Sequence, residues 1–107
     1  MVARGDVVWA DLGAPAGRRP VCVLTRDAAI AVLHIVTCAP ITRTIRGIRS
    51  EVEVGSREGL PETSVISCDN LLAVPQSLLD PAPTGHLDRV KRAELDGALR
   101  YALDIQY

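Results

Sequence analysis

Arg18 and Arg19 form the first pattern in the sequence that suits phosphate chemistry. They precede Pro20 at the junction between a loop and an apolar run, and a proline favours extended backbone in the residue before it. A guanidinium presents five N–H donors in a planar fork that matches phosphate oxygens. Taken alone, the pair is either a phosphate-binding element or two solvated loop arginines.

A second pattern runs from Pro40 to Arg46, directly after another apolar run. Hydroxyl and guanidinium groups alternate here, with Thr42 followed by Arg43 and Thr44 followed by Arg46 within two residues. Such groups can hold a phosphodiester and stabilise the charge that develops on it in a transition state. The alternative is an ordinary polar strand end.

The third pattern is a polar insertion, residues 67–70, within an otherwise apolar segment. It includes Asp69 and Asn70. Buried polar groups need hydrogen-bond partners, so these residues form either a binding surface or an internal network at a bulge.

The elements that must position these side chains are mostly strands. Short apolar runs that are rich in β-branched residues and bounded by Gly or Pro predict strands, and residues 50–54 alternate polar and apolar side chains as a half-buried strand does. Pro40 is expected to end or bend the third strand. The segment at 63–74 predicts either one strand or a bent pair. The predicted strands cover residues 7–10, 20–25, 31–38, 50–54 and 63–74.

The periodicity changes after Asp88, which is a suitable N-cap for a helix. Leu95, Leu99 and Leu103 recur every four residues with alanines beside them, and this spacing predicts an amphipathic helix. Residues 75–80 predict one helical turn. The sequence therefore predicts a small twisted sheet or open barrel of about five to seven strands with a terminal helix.

Length, composition and charge narrow the classes of protein. A length of 107 residues predicts a single domain spanning 1–107. Phe is absent and there are only one Trp and two Tyr, which excludes a sheet of aromatic platforms for unstacked bases. Residues 1–50 carry a net charge of +4 and the remainder −5. A local arginine-rich face for an anionic partner is compatible with this asymmetry, as is ordinary surface charge.

Cysteine and histidine usage predicts no metal site and no cofactor. Cys22, Cys38 and Cys68 lie inside apolar runs without a CxxC pair, which favours buried, reduced thiols and a cytoplasmic location. His34 and His86 have no other ligand at metal-binding spacing. The longest apolar stretch is shorter than the roughly 20 residues of a membrane span, so no membrane association is expected.

Taken together, these segments resemble the MazF/PemK-type mRNA interferase toxins of type II toxin–antitoxin systems. The resemblance depends on the order and spacing of several modest motifs over nearly the whole chain, at residues 5–12, 19–24, 39–42, 64–71 and 86–88. It implies a mainly β fold, a compact SH3-like barrel of the CcdB/PemK type with a C-terminal amphipathic helix. It also implies a homodimer that cleaves single-stranded RNA at short sequences without a metal or other cofactor.

The resemblance implies roles for two residues in particular. Arg19 matches the catalytic arginine of the family and Thr42 the catalytic threonine. The 2′-OH of the RNA attacks the adjacent phosphate and leaves 2′,3′-cyclic phosphate and 5′-OH ends. We expect Arg19 to stabilise charge on the phosphorane and Thr42 to hydrogen-bond a nonbridging oxygen.

Five further residues are implied in RNA binding. Arg18, Arg43 and Arg46 would hold phosphates and make binding depend on salt, while Asp69 and Asn70 would read base edges. The family also implies an antitoxin whose acidic, disordered tail lies across the RNA groove, and a homodimer joined partly through apolar strand and helix surfaces.

Two other classes remain as alternatives at this point. Gyrase-poisoning toxins use the same fold to bind a protein and need no Arg/Thr pair. A plain SH3-like interaction module would need an aromatic groove for proline-rich peptides, and the sequence supplies few aromatic residues for one.

Overall fold

The computed structural model describes residues 1–106 and forms one curled antiparallel sheet closed by a C-terminal helix. Its seven strands run in the order β4-β5-β3-β2-β1-β7, and β6 pairs with β3 outside this path. The strands are β1 Asp6–Asp11, β2 Arg18–Val23, β3 Ile35–Thr42, β4 Glu51–Val54, β5 Ser64–Ser67, β6 Leu72–Pro75 and β7 Gly85–His86. The helices are α1 Asp27–Ile30 and α2 Arg89–Leu103, with 3-10 turns at Ser56–Glu58 and Gln76–Leu78.

Strand β3 is the centre of the sheet because it pairs with three other strands. Its first half pairs with β6, its middle with β2, and its last two residues with β5. The change of partner near Pro40 curls the sheet into a half-barrel, as the family fold predicts. Pro40 lies opposite Val21 in the last β2–β3 pair.

The predicted bounds of the third strand were wrong. Residues 31–38 were expected to form it, but α1 and a turn occupy the chain up to His34, and β3 continues through Pro40 to Thr42. A proline removes one N–H donor from the ladder, and this loss is tolerated where a strand bends and exchanges partners. Of the two alternatives predicted for Pro40, β3 bends and exchanges partners there, and it does not end there. The segment at 63–74 is the bent pair β5 and β6.

The core has two parts, one on each face of the sheet. Between the sheet and α2 lie Val7, Ile66 and Leu95, while Val8 and Val21 pack on the other side. Successive residues of a strand point to opposite faces, so the consecutive residues Val7 and Val8 of β1 enter different parts of the core. Both parts consist of aliphatic side chains and cysteines, which agrees with the composition.

The three cysteines are free and buried, as predicted. Desolvation by burial raises the pKa of Cys22 and Cys38 to about 12, and that of Cys68 to about 11. These thiols therefore stay protonated and pack as small apolar groups.

Helix α2 begins where the sequence predicted. The Asp88 carboxylate accepts a hydrogen bond from the Lys91 N–H at 2.8 Å, which is the contact expected of an N-cap. Leu95 is fully buried, but Leu103 is 52% exposed and lines an open groove with Leu33 and Leu99. The expectation that Leu103 belongs to the buried face was wrong.

Within residues 1–106, no helix is long and apolar enough to cross a membrane.

Candidate active site

Strand register brings Arg19 and Thr42 to the same level of the sheet. The β2–β3 pairs run from Val23 opposite Cys38 to Val21 opposite Pro40. Two residues further along each strand, Arg19 and Thr42 occupy facing positions on the same side of the sheet. The strands have separated by then, because Arg19 pairs with β1 and Thr42 pairs with β5.

This separation opens a cleft of about 270 Å³, hereafter the first cleft. It contains four of the site residues predicted from the sequence, namely Arg18, Arg19, Thr42 and Arg43. Its remaining lining residues are Trp9, Pro20, Ile41, Leu60, Pro61, Glu62 and Ser64.

Arg19 and Thr42 are both held so that hydrogen-bond donors remain available. The Arg19 Nε donates to the Ala16 carbonyl at 2.9 Å, and its two terminal nitrogens have no partner among residues 1–106. The Thr42 Oγ1 accepts from the Thr44 N–H at 3.1 Å. Since that bond uses a lone pair, the Thr42 hydroxyl proton can be donated to another acceptor.

The other two arginines of the first cleft are paired with carboxylates. Arg18 makes a bidentate contact with Asp80, at 3.0 and 2.9 Å, and lies over the Trp9 ring at 5.9 Å. The hydrogen bonds raise the pKa of Arg18 and lower that of Asp80. Arg43 donates to Glu62 at 3.0 Å. These pairs are solvent-exposed, so an incoming phosphate can replace the carboxylates at little cost.

A second cleft, of about 280 Å³, meets the first at Thr42, which lines both. It contains the other predicted residues, Arg46, Asp69 and Asn70. Its remaining lining residues are Pro40, Thr44, Ile48, Glu51 and Ser67. The structure thus brings all seven predicted residues into two connected clefts, and their chemical roles stay predictions.

Hydrogen bonds fix the walls of the second cleft. The Glu51 carboxylate accepts from the backbone N–H groups of Arg46 and Gly47, at 3.0 and 2.9 Å. The Asn70 amide donates to the Ser67 hydroxyl at 3.1 Å. One end of the loop between β3 and β4 is therefore anchored to β4.

Sequence reasoning missed five polar or aromatic residues of this region. Trp9 was recognised only as part of a strand, and the carboxylates follow no local spacing. Glu62 and Asp80 lie 19 and 62 residues from the arginines that they contact, so only the folded register could reveal them. The missed residues are Trp9, Ser50, Glu51, Glu62 and Asp80.

Among residues 1–106, no group of three His, Cys, Asp or Glu side chains is placed to hold a metal ion.

The fold is a curled antiparallel sheet with a C-terminal helix, opened between β2 and β3 by a cleft that contains Arg19 and Thr42. The chain belongs to the family described as PemK-like, MazF-like toxins of type II toxin–antitoxin systems, which matches residues 3–103. The family predicted from the sequence is thereby confirmed.

Several similar proteins come from mycobacteria. The chain is 41% identical over 104 residues to the probable endoribonuclease MazF5 of Mycobacterium tuberculosis, covering 95% of this chain and 93% of that protein. It is 39% identical over 89 residues to endoribonuclease MazF3 of the same species, covering 83% and 85%. The solved structure of M. tuberculosis toxin MazF-mt6 superposes with a TM-score of 0.87 at 36% identity, covering 95% of this chain and 99% of that one.

The fold is shared more widely than the sequence. An endoribonuclease in complex with its cognate antitoxin from a mycobacterial species superposes with a TM-score of 0.88 at 24% identity, covering 100% of this chain and 99% of that one. At that identity the match supports the fold alone. It agrees with the half-barrel and terminal helix described above.

Proposed function

We propose that this protein is a sequence-specific, metal-independent endoribonuclease toxin that cleaves single-stranded mRNA and so inhibits translation and growth. The observation that carries the proposal is the pair of available donors at the first cleft, the Arg19 guanidinium and the Thr42 hydroxyl. Family membership and the endoribonuclease names of the relatives support the same activity.

The reaction needs a site that stabilises negative charge on phosphorus. The 2′-oxygen forms a bond to the adjacent phosphorus while the bond from phosphorus to the 5′-oxygen breaks. The 2′-OH loses its proton, the leaving 5′-oxygen gains one, and the products are a 2′,3′-cyclic phosphate and a 5′-OH. Two N–H donors from Arg19 and the O–H of Thr42 would contact the nonbridging oxygens as their charge grows.

Arg19 is assigned charge stabilisation and not proton abstraction. An arginine side chain keeps its proton at neutral pH and has no lone pair to accept another. The hydrogen bond to Ala16 fixes the Nε and leaves the terminal nitrogens for the phosphate. Removing one such donor typically lowers kcat by about 10²- to 10³-fold.

The remaining residues of the two clefts would bind the RNA on either side of the cut. Arg18 and Arg43 exchange their carboxylate partners for phosphates, and Arg46 holds a further phosphate at the second cleft. Asp69 and Asn70 contact base edges there. An antitoxin with an acidic, disordered tail would compete with RNA for the same arginines.

The toxin would work as a homodimer in the cytoplasm, where its mRNA substrate is found. Apolar side chains that are exposed on strand and helix surfaces, such as Ile35 and Leu103, would pack in the dimer contact.

Cleavage of a long, defined single-stranded RNA in the presence of EDTA tests the proposal. We expect the wild-type protein to cut at one recurring sequence with cyclic-phosphate ends, and both Arg19→Ala and Thr42→Ala to lose this activity. Arg57→Ala is the matched control, because Arg57 is exposed and lies outside both clefts.

Two results would count against the proposal. Cleavage that EDTA abolishes would contradict metal independence. No cleavage of several RNAs by a folded dimer would favour the protein-binding alternative, and inhibition of DNA gyrase would then be the assay of choice.

A further inference from the structure

The Asp69 carboxylate is the one acidic group of the second cleft that is held by a buried side chain. The Ser50 hydroxyl donates to the Asp69 Oδ2 at 2.5 Å, and Ser50 is only 1% exposed. The Ser50 carbonyl also accepts from the Cys68 N–H at 3.0 Å. Ser50 and Cys68 therefore extend the β4–β5 ladder by one pair beyond Glu51 and Ser67.

This arrangement fixes the orientation of a side chain that is itself exposed. A buried hydroxyl needs a partner, and Asp69 supplies the only side-chain partner of the Ser50 hydroxyl within residues 1–106. The backbone at residue 68 is anchored by the same serine. Asp69 consequently lies in the wall of the second cleft, and its Oδ2 is held by the hydroxyl of the buried Ser50.

The carboxylate retains most of its capacity to accept hydrogen bonds. An ionised carboxylate has about four lone-pair sites and no donor. Ser50 uses one of them, and Oδ1 has no partner among the described residues. The Asp69 carboxylate is therefore an available acceptor in the lining of the second cleft, held in place through Oδ2.

A fixed acceptor distinguishes cytosine from uracil, although the two bases have nearly the same shape. Cytosine presents an N4 amino group that donates hydrogen bonds, whereas uracil presents the O4 carbonyl at the same place. A carboxylate attracts the first and repels the second. The Thr44 hydroxyl in the same cleft can donate to the O2 carbonyl that both pyrimidines carry.

We propose that Asp69 selects cytosine over uracil at one position of the RNA, and that Ser50 is the positioning residue that orients Asp69 for this purpose. The inference rests on the proposed RNA-cleaving function and specifies how its target sequence is read. Asn70, which is tied to Ser67, contributes to the same cleft but is not required for this distinction.

The test uses the full-length protein and a set of short RNAs built on its own cut site. Each pyrimidine of the site is changed singly between cytosine and uracil, and kcat/KM is measured for every RNA. We expect one position at which uracil lowers kcat/KM by about 10-fold or more in the wild-type protein. At that position alone, Asp69→Asn should reduce the preference to within about 3-fold, because an amide can donate to O4 as well as accept from N4.

Ser50→Ala should weaken the same preference without reducing cleavage of the preferred RNA to background. Ser77→Ala is the matched control, since it also removes one serine hydroxyl but at an exposed position outside both clefts. It should leave the preference unchanged. Melting temperatures of all variants identify any that fail to fold, and Asp69→Asn, at an exposed position, keeps the test valid if Ser50→Ala does not fold.

Direct binding to short single-stranded RNAs that differ by one change between cytosine and uracil needs no known cut site, so it separates this inference from the proposed function. If no RNA is cleaved but Asp69→Asn still loses a cytosine preference in binding, the catalytic proposal fails and the inference stands. A preference that is unchanged in Asp69→Asn at every position overturns the inference. A preference lost in Asp69→Asn but intact in a folded Ser50→Ala overturns the positioning role of Ser50.

Discussion

The two clefts share Thr42 but present opposite kinds of chemistry to an RNA strand. The first contains three guanidiniums, and carboxylates hold two of them. The second contains Arg46 together with amide, hydroxyl and carboxylate groups fixed by hydrogen bonds. Phosphate contacts carry no sequence information, whereas contacts to base edges do. Under the proposed function, the first cleft would bind phosphates of any sequence, and the second cleft would contact the edge of a base.

The carboxylates of the first cleft sharpen this contrast. Asp80 and Glu62 neutralise Arg18 and Arg43, so Arg19 is the guanidinium of the cleft without a carboxylate partner in the described chain. An RNA gains less from the first cleft than three free arginines would give it. Under the proposed function, discrimination between RNAs therefore lies with the base contacts of the second cleft.

The largest expected effect comes from Arg19→Lys, which keeps the charge but loses the planar fork and the Nε contact to Ala16. We expect kcat to fall by about 100-fold or more, with KM changed by less than about 3-fold, because the loss concerns the transition state. Steady-state cleavage of one preferred RNA at several RNA concentrations measures both kcat and KM. A rise in KM with kcat unchanged would mean that Arg19 only holds the substrate.

Arg46→Ala should weaken binding to all single-stranded RNAs by about 10-fold at low salt. Loss of one phosphate contact should also reduce the slope of log Kd against log salt by about 0.7. Titrations at several salt concentrations, with matched cytosine and uracil RNAs, measure this. A change confined to one base sequence would instead make Arg46 a base-reading residue.

Glu62→Gln should act in the opposite direction, because it releases Arg43 for phosphate. We expect RNA binding to tighten by about 2- to 5-fold at low salt, with a steeper salt dependence. Glu53→Gln, on the exposed side of β4 and outside both clefts, is the control for the general loss of one negative charge. Equal effects of the two substitutions would remove any special role for the Arg43–Glu62 pair.

The smallest expected effect concerns pH and the Arg18–Asp80 pair. Arg18 lowers the pKa of Asp80, so this carboxylate stays ionised at every pH above its ordinary value of about 3.9 and is protonated only below it. The ratio of RNA affinities between wild type and Asp80→Asn should therefore be constant, within about 2-fold, from about pH 8 to about pH 5. A ratio that approached unity at pH 5 would show that Asp80 titrates in the higher range.

Residues close in sequence made much of this architecture predictable. Short apolar runs bounded by Gly or Pro predicted β1 and β2, alternation predicted β4, and the leucine spacing with Asp88 predicted α2. The bounds of β3 could not be predicted, because Pro40 is read locally as a strand end and only the exchange of β2 for β5 makes it tolerable.

The candidate site was likewise predictable only where residues close in sequence define it. Arg19, Thr42 and their neighbours were identified from local pattern and family resemblance. The partners that modify them, Glu62 and Asp80, are distant in the chain, and so is Ser50 from Asp69. Such contacts depend on strand register, and hydrophobic alternation leaves that register undetermined before folding.

The position of Trp9 has a practical consequence. It is the single tryptophan of the sequence, half-buried in the wall of the first cleft with the Arg18 guanidinium over its ring. A phosphate that draws Arg18 away would alter the polarity around the indole, so its fluorescence reports occupancy of the cleft without an attached dye. Because the core has no competing tryptophan, the same emission can follow RNA and an acidic protein tail in competition on an unlabelled toxin.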